Sequence, residues 1–183
     1  MTGADVSGFP RAAPSFEEPL EMLAACHGRI RGFCATLVRL EAHVAALGSD
    51  AAASRAARDV IRYFDRAGRA HHADEEEDLF PALIESMAGS DPVCIRELVG
   101  SLASEHRELE RLWIPVRVWL AAIEARAAVL PDGHGVEAFV ALQERHAARE
   151  EAELFPMAER LLGPAELDGI GRSMSARRAV GRT

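Results

Sequence analysis

Apolar residues recur along this chain at steps of three and four, and the recurrence breaks at only a few places. Leu23, Ile30, Phe33, Leu37, Leu40 and Val44 form one such stripe, the period of a helical face turned towards a core. Ser15, with Glu18 three residues on, reads as a capping box at its start, and Gly48-Ser49-Asp50 ends it. A second helix is predicted over Ala51 to Met87, with Pro81 inside it expected to kink or tighten the turn before it. Gly89-Ser90-Asp91-Pro92 is a stop and a restart, Asp91 as N-cap and Pro92 at the first helical position. The third stripe, Ile95, Leu98, Leu102, Leu109 and Leu112, is interrupted at Pro115 and continues through Trp119 and Ile123 towards Leu130. Beyond the loop Pro131 to Gly135, a fourth helix runs from Val136 to Leu162 and Gly163-Pro164 closes it. Ala165 to Arg178 suits a short fifth helix.

Four long amphipathic helices joined by short turns predict an all-α fold. The arrangement expected is an antiparallel up-down-up-down four-helix bundle over residues 15–163, with a short helix and tail over 164–183. The stretch 1–14, rich in Gly, Ala, Ser and Pro, reads as disordered.

Composition agrees. Apolar residues make up 49% of the 183, but aromatics only 5%, so the core must be built from Ala, Leu, Val and Ile. The net charge of -8 argues against an extended nucleic-acid surface, which needs clustered Lys and Arg. The one basic run, Arg172 to Arg182, reads as a solvated helix end with a frayed tail. No apolar stretch approaches the ~18 residues of a membrane span, and Met1 to Pro14 lacks the pattern of a secretory signal. Cys26, Cys34 and Cys94 are odd in number and lack C-x-x-C spacing. They read as reduced thiols of a cytoplasmic protein, with Cys26 and Cys34 packed on one side of the first helix.

The chemistry lies in a repeat. Phe64-x6-His71-x3-Glu75-Glu76-x2-Leu79-Phe80-Pro81 matches Phe139-x6-His146-x3-Glu150-Glu151-x2-Leu154-Phe155-Pro156 at every named position. In each copy a His and a Glu interrupt an apolar stripe. An unpartnered carboxylate in a core costs several kcal/mol or is forced neutral, and a metal ion supplies the missing charge. Residues four apart on a helix stand one above the other, so each pair can reach one cation or two adjacent ones. His27 lies 22 residues before the first turn, at Ser49, and His71 lies 22 after it; Glu75 and His106 lie 15 and 16 from the second turn, at Ser90. Depth thus brings helices 1, 2 and 3 together at one layer, and with the fourth-helix copy of the repeat the set is four imidazoles and two carboxylates: His27, His71, Glu75, His106, His146 and Glu150. That set suits Fe, Mn or Zn, and six ligands for two ions fit di-iron better than tetrahedral zinc. A slip of one residue would pair His72 with Glu76, but only the His71 register matches the fourth helix. Glu76 and Glu151 are either acceptors that orient ligands or a solvated acidic face. His43, His134, Trp113, Trp119 and Tyr63 match no ligand spacing. The third turn fits less well, and helix 3 must bend at Pro115, end early, or leave a long return segment.

At these residues the chain resembles the hemerythrin-like, or His-His-Glu cation-binding, family over roughly residues 16–162. The motifs that carry the resemblance are His27, His71-His72-x-x-Glu75-Glu76-x-x-Leu79-Phe80-Pro81, Glu105-His106 and the fourth-helix copy of the repeat. The resemblance implies two non-haem Fe ions, oxo- or hydroxo-bridged, with His27, His71, His106 and His146 as terminal ligands and Glu75 and Glu150 bridging. It implies binding or sensing of O2 or NO, or, as the alternative, an enzyme that detoxifies peroxide or NO. Oxygen-carrying members have a second His four residues after the first on helix 3. Here that position is Glu110, which leaves Glu110, His72 or solvent at the sixth position. Ferritin-like sites use Glu-x-x-His, and no Glu precedes any of the seven histidines by three residues. The Cys-rich N-terminal part of members that repair iron–sulfur clusters has no counterpart up to Pro14.

Overall fold

The structure is a computed structural model and describes residues 14–87, 93–129 and 135–180. Among these the chain is helical without strands. Helix α1 spans Pro19–Leu47. Helix α2 covers 51–86, starting as Ala51–Tyr63 and ending as Phe80–Ser86, with wider π-turns at Phe64–Gly68 and Glu75–Leu79 on either side of Arg69–Asp74. Helix α3 spans Val93–Glu124. Helix α4 runs from Val136–Arg149 through a π-turn at Glu150–Leu154 to Phe155–Leu161. Helix α5 spans Pro164–Val180. Helices α1 and α3 each pack against both α2 and α4, and α5 lies on α1 and the middle of α2. No helix among the described residues is long and apolar enough to cross a membrane.

Several boundaries depart from the sequence reading. The capping box does not form. Pro19 occupies the first helical turn, Glu18 makes no side-chain cap, and Ser15 instead accepts from the Glu17 and Glu18 amides. Asp50 does cap α2, its Oδ1 accepting from the amides of Ala52 and Ala53 at 2.9 and 2.8 Å. Asp50→Ala is expected to cost about 0.5–2 kcal/mol in chemical denaturation.

Proline acts differently at each place. Pro115 does not break α3, because Trp113, Val116, Trp119, Leu120 and Ile123 are buried on both sides of it and their packing outweighs the roughly 3 kcal/mol that a mid-helix proline costs. Before Pro81 and Pro156 the helix widens rather than tightens: the Phe80 and Phe155 amides reach back five residues to the carbonyls of Glu75 and Glu150. Helix α3 ends early, at Glu124, and Arg126 turns the chain with a φ of 55°. The Ala127 amide closes that end onto the Ala122 carbonyl, while Ser49 and Ser54 hydroxyls donate to the carbonyls of Ala127 and Glu124. Asp91, Pro92, the loop 131–134 with His134, and the stretch 1–13 lie outside the described residues.

Two apolar clusters form the core. One contains Leu23, Leu79, Leu83, Leu102, Leu154 and Ala158; the other contains Ile30, Leu37, Phe64, Leu109, Trp113 and Phe139. Their order along the chain alternates. Leu23 precedes Ile30 on α1, Phe64 precedes Leu79 on α2, Leu102 precedes Leu109 on α3, and Phe139 precedes Leu154 on α4. His27 on α1, His71 and Glu75 on α2, His106 on α3, and His146 and Glu150 on α4 fall between the two clusters.

The basic C-terminal run is not simply solvated. Arg177 and Arg178 fold back from α5 onto Asp74, which is fully buried on α2.

Candidate metal centre

Glu75 and Glu150 each open a π-turn, and each lies on the inner side together with the His four residues earlier. Local widening of this kind often occurs where a helix serves a site. His27, Glu75 and Glu150 are 0% exposed, His71 1%, and His106 and His146 2% each. All six residues singled out by the sequence therefore face inward, and His71 with Glu75 is the inward register.

The two glutamates lie between pairs of imidazoles. Glu75 Oε1 is 3.4 Å from His71 Nε2, and its Oε2 is 3.4 Å from His106 Nε2. Glu150 Oε2 is 3.0 Å from His27 Nε2, and its Oε1 is 3.1 Å from His146 Nε2. The donor atoms of His27, His71, Glu75 and Glu150 lie within 4.8 Å of one another, as do those of Glu75, His106, His146 and Glu150. Both carboxylates belong to both groups.

A ring of carboxylates orients the imidazoles. Nδ1–H of His106 donates to Glu76 at 2.6 Å, that of His27 to Glu151 at 3.0 Å, and that of His146 to Glu105 at 2.8 Å. A carboxylate can only accept, so each bond leaves Nε2 facing the interior as a lone-pair donor. Glu151 is in turn gripped by both terminal nitrogens of Arg31, and Glu105 lies 3.3 Å from Arg149. Glu76 and Glu151 thus orient histidines on the neighbouring helix. Glu105 entered the sequence reading only beside His106 in the family resemblance, with no role assigned, since no repeat marks it. The residue before His27, in the place Glu105 has before His106, is Cys26, and His71 Nδ1 is buried without a hydrogen-bond partner.

The electrostatics are those of buried carboxylates and imidazoles held against one another. Burial, and next the Glu150 charge, push Glu75 up to about 7. Burial pushes His71 down to about 3. Burial also opposes the charge on His106, but Glu150, Glu75 and Glu76 outweigh it and raise the group to about 10. Glu150 lies well below the usual carboxylate range despite burial, because His106, His146 and His27 surround it. Nε2 of His27 and His71 and all four oxygens of Glu75 and Glu150 are buried without a hydrogen-bond partner. Such orphaned polar atoms cost free energy unless something satisfies them, and cations with nitrogen and oxygen preference fit this set.

His72, a candidate for the sixth position, is half-buried and stacks on His106 at 4.0 Å; its nitrogen lies with those of His106 and His146 within 4.8 Å. Glu110 is exposed and belongs to none of these groups. His43 is a surface group beside the Asp50 cap, 3.1 Å away. Trp113 and Trp119 are buried, Cys26 and Cys34 are buried free thiols, and Cys94 is exposed.

The family model described as hemerythrin HHE cation binding domain matches residues 18–158. The chain belongs to this hemerythrin family. It is also similar to an uncharacterized protein of Haemophilus influenzae, 34% identical over 171 residues, which cover 93% of this chain and 96% of that protein. The matched span contains all six inward residues of this hemerythrin-like chain and the three carboxylates that orient them. It stops short of α5.

Proposed function

We propose that this hemerythrin-like chain is a non-haem di-iron protein that binds or senses a small diatomic, O2 or NO. One observation carries the reading: Glu75 and Glu150 are shared between two four-residue groups, so two cations bound there would have both carboxylates in common. His27 and His71 would hold one iron and His106 and His146 the other. Bound there, a redox-active iron pair supplies reversible electron transfer to a small ligand. The protein's own part is to exclude bulk water with its two apolar clusters, to fix the imidazole tautomers through Glu76, Glu105 and Glu151, and to keep His72 beside one side of the pair. Two His and two Glu for each iron leave coordination positions open, and His72 is the side chain nearest to filling one.

The same reading includes an antiparallel up-down-up-down bundle of α1 to α4 as one domain over 15–163. The alternating order of the two core clusters along successive helices supports it. A cytoplasmic location rests on the three free cysteines.

Elemental analysis of purified, iron-reconstituted protein is expected to give about two irons per chain, and chelation to lower Tm. Spectra under O2, NO and peroxide then identify the ligand. A chain that holds no stoichiometric metal after reconstitution would refute the centre. Rapid peroxide or NO turnover would replace binding with the enzymatic alternative. Glu105→Gln, which keeps the shape but weakens the grip on His146, is expected to reduce metal affinity about 10–100-fold, read by competition with a chromogenic chelator.

A further inference from the structure

The repeat that builds the centre also allows its two flanks to be compared. An offset of 75 residues relates α2 to α4, and one of 79 relates His27 on α1 to His106 on α3. On the α1–α4 flank, Arg31 bonds both Glu144 and Glu151 and ties the two helices together. On the α2–α3 flank the corresponding positions are Glu110 for Arg31 and Arg69 for Glu144, and among the described residues no ion pair joins them. Helix α2 has its first π-turn here, at Phe64–Gly68, and α4 has none at the matching place. This flank opens into a cavity of about 700 Å³.

The cavity has two chemically distinct ends. Phe64, Trp113 and Phe139 line one end, with ring centroids 5.0–5.4 Å apart. At its rim Ile114 and Val118 are 63% and 66% exposed. Arg69, His72, Arg107 and Glu110 form the other end, where a smaller cavity of about 210 Å³ adjoins and reaches His106. Two other arginines of the lining are engaged, Arg111 by Glu108 and Arg117 by Asp65. In the larger cavity Arg69 and Arg107, which have no ion-pair partner among the described residues, outnumber the Glu110 carboxylate, while Glu76 and Glu77 of the smaller cavity are engaged by His106 and Arg177. A diatomic needs neither this volume nor this charge. Cavities of several hundred Å³ with an apolar body and a few converging polar groups suit organic ligands.

We infer that the α2–α3 cavity binds an amphipathic organic anion, a medium-chain carboxylate with its head on Arg69 and Arg107 and its hydrocarbon against Trp113 and Phe64. The site is complete in the protein's own side chains and does not depend on the cations. Through His72, which lines the polar end and stacks on His106, its occupant would adjoin the centre.

Titration of the full chain with decanoate, followed by calorimetry and tryptophan fluorescence, tests this. Saturable one-to-one binding is expected, with decanol and acetate each weaker by roughly tenfold or more, since a charge-assisted hydrogen bond and the burial of several methylenes are each worth that much. Arg69→Ala/Arg107→Ala changes two exposed residues, so the fold should survive, as circular dichroism will show. It is expected to weaken decanoate about tenfold and leave decanol unchanged. Absence of saturable decanoate binding, or equal binding of decanoate and decanol, would overturn the proposal. So would sedimentation showing that the wild-type face is covered by a second copy and freed by Ile114→Glu.

Discussion

Glu150→Ala is expected to remove both cations at once, taking the metal content from about two per chain to well below one. Its carboxylate lies 3.0 Å from His27, 3.1 Å from His146 and 3.9 Å from His106, so it belongs to both four-residue groups. Removing it deprives each cation of one anionic ligand and leaves Glu75 as the single negative group between two dications. His27→Ala subtracts from one group only and should retain about one metal. Stability separates this account from simple unfolding. Without metal, Glu75 and Glu150 repel each other in a buried layer, and that repulsion adds to burial in lifting Glu75. Losing Glu150 relieves it but also takes from His27, His106 and His146 the carboxylate they surround, so the metal-free variant should melt somewhat lower than metal-free wild type yet still unfold cooperatively, while the large increase in Tm on loading disappears. Glu150→Gln keeps the volume and serves as the packing control. Two metals retained in Glu150→Ala would contradict the shared-carboxylate arrangement.

The buried His/Glu cluster was legible in the sequence because its pattern is written twice. Two copies of His-x3-Glu-Glu with the same flanking Phe, Leu and Pro are hard to produce by helical periodicity alone, and a buried charge in an apolar stripe demands a counter-ion. The second Glu of each copy could be singled out for the same reason, although only the packing shows that Glu76 serves His106 and Glu151 serves His27. Glu105 had no such signal: it is one acid among several on α3, and its partner is 41 residues away on another helix. The π-turns were misread because proline suggests a missing hydrogen bond but not its remedy, which here is a reach of five residues. Asp74 was hidden in the acidic run Asp74 to Asp78, where composition implies a solvated face. Its burial follows from α5, whose contact with α2 is long-range and leaves no periodic trace.

That helix underlies the second large effect. Arg177→Ala/Arg178→Ala is expected to destabilise the fold by about 3–5 kcal/mol, because it leaves a buried carboxylate without its partners. Asp74 is 0% exposed, and its two oxygens are held by Arg177 and Arg178, the latter at 2.5 and 3.1 Å. Arg177 also bonds Glu77 and Asp78, each at 2.8 Å. Arg178 lies over the Phe16 ring, and Gly171 lets α5 approach the Phe16 backbone so closely that a Cβ there would meet its carbonyl oxygen at 1.9 Å. The clasp therefore joins the residue before Glu75 to the chain start and to the Leu20 and Met174 cluster. The cost should lie in the buried charge rather than in the helix itself. Asp74→Asn placed on the double variant should recover a large part of the stability, since a neutral amide no longer needs two cations. Urea denaturation of the three proteins checks this. If the double variant loses less than about 1 kcal/mol, the value of an exposed pair, or if Asp74→Asn brings no recovery, then α5 is a surface appendage and not a clasp on the helix that carries His71 and Glu75.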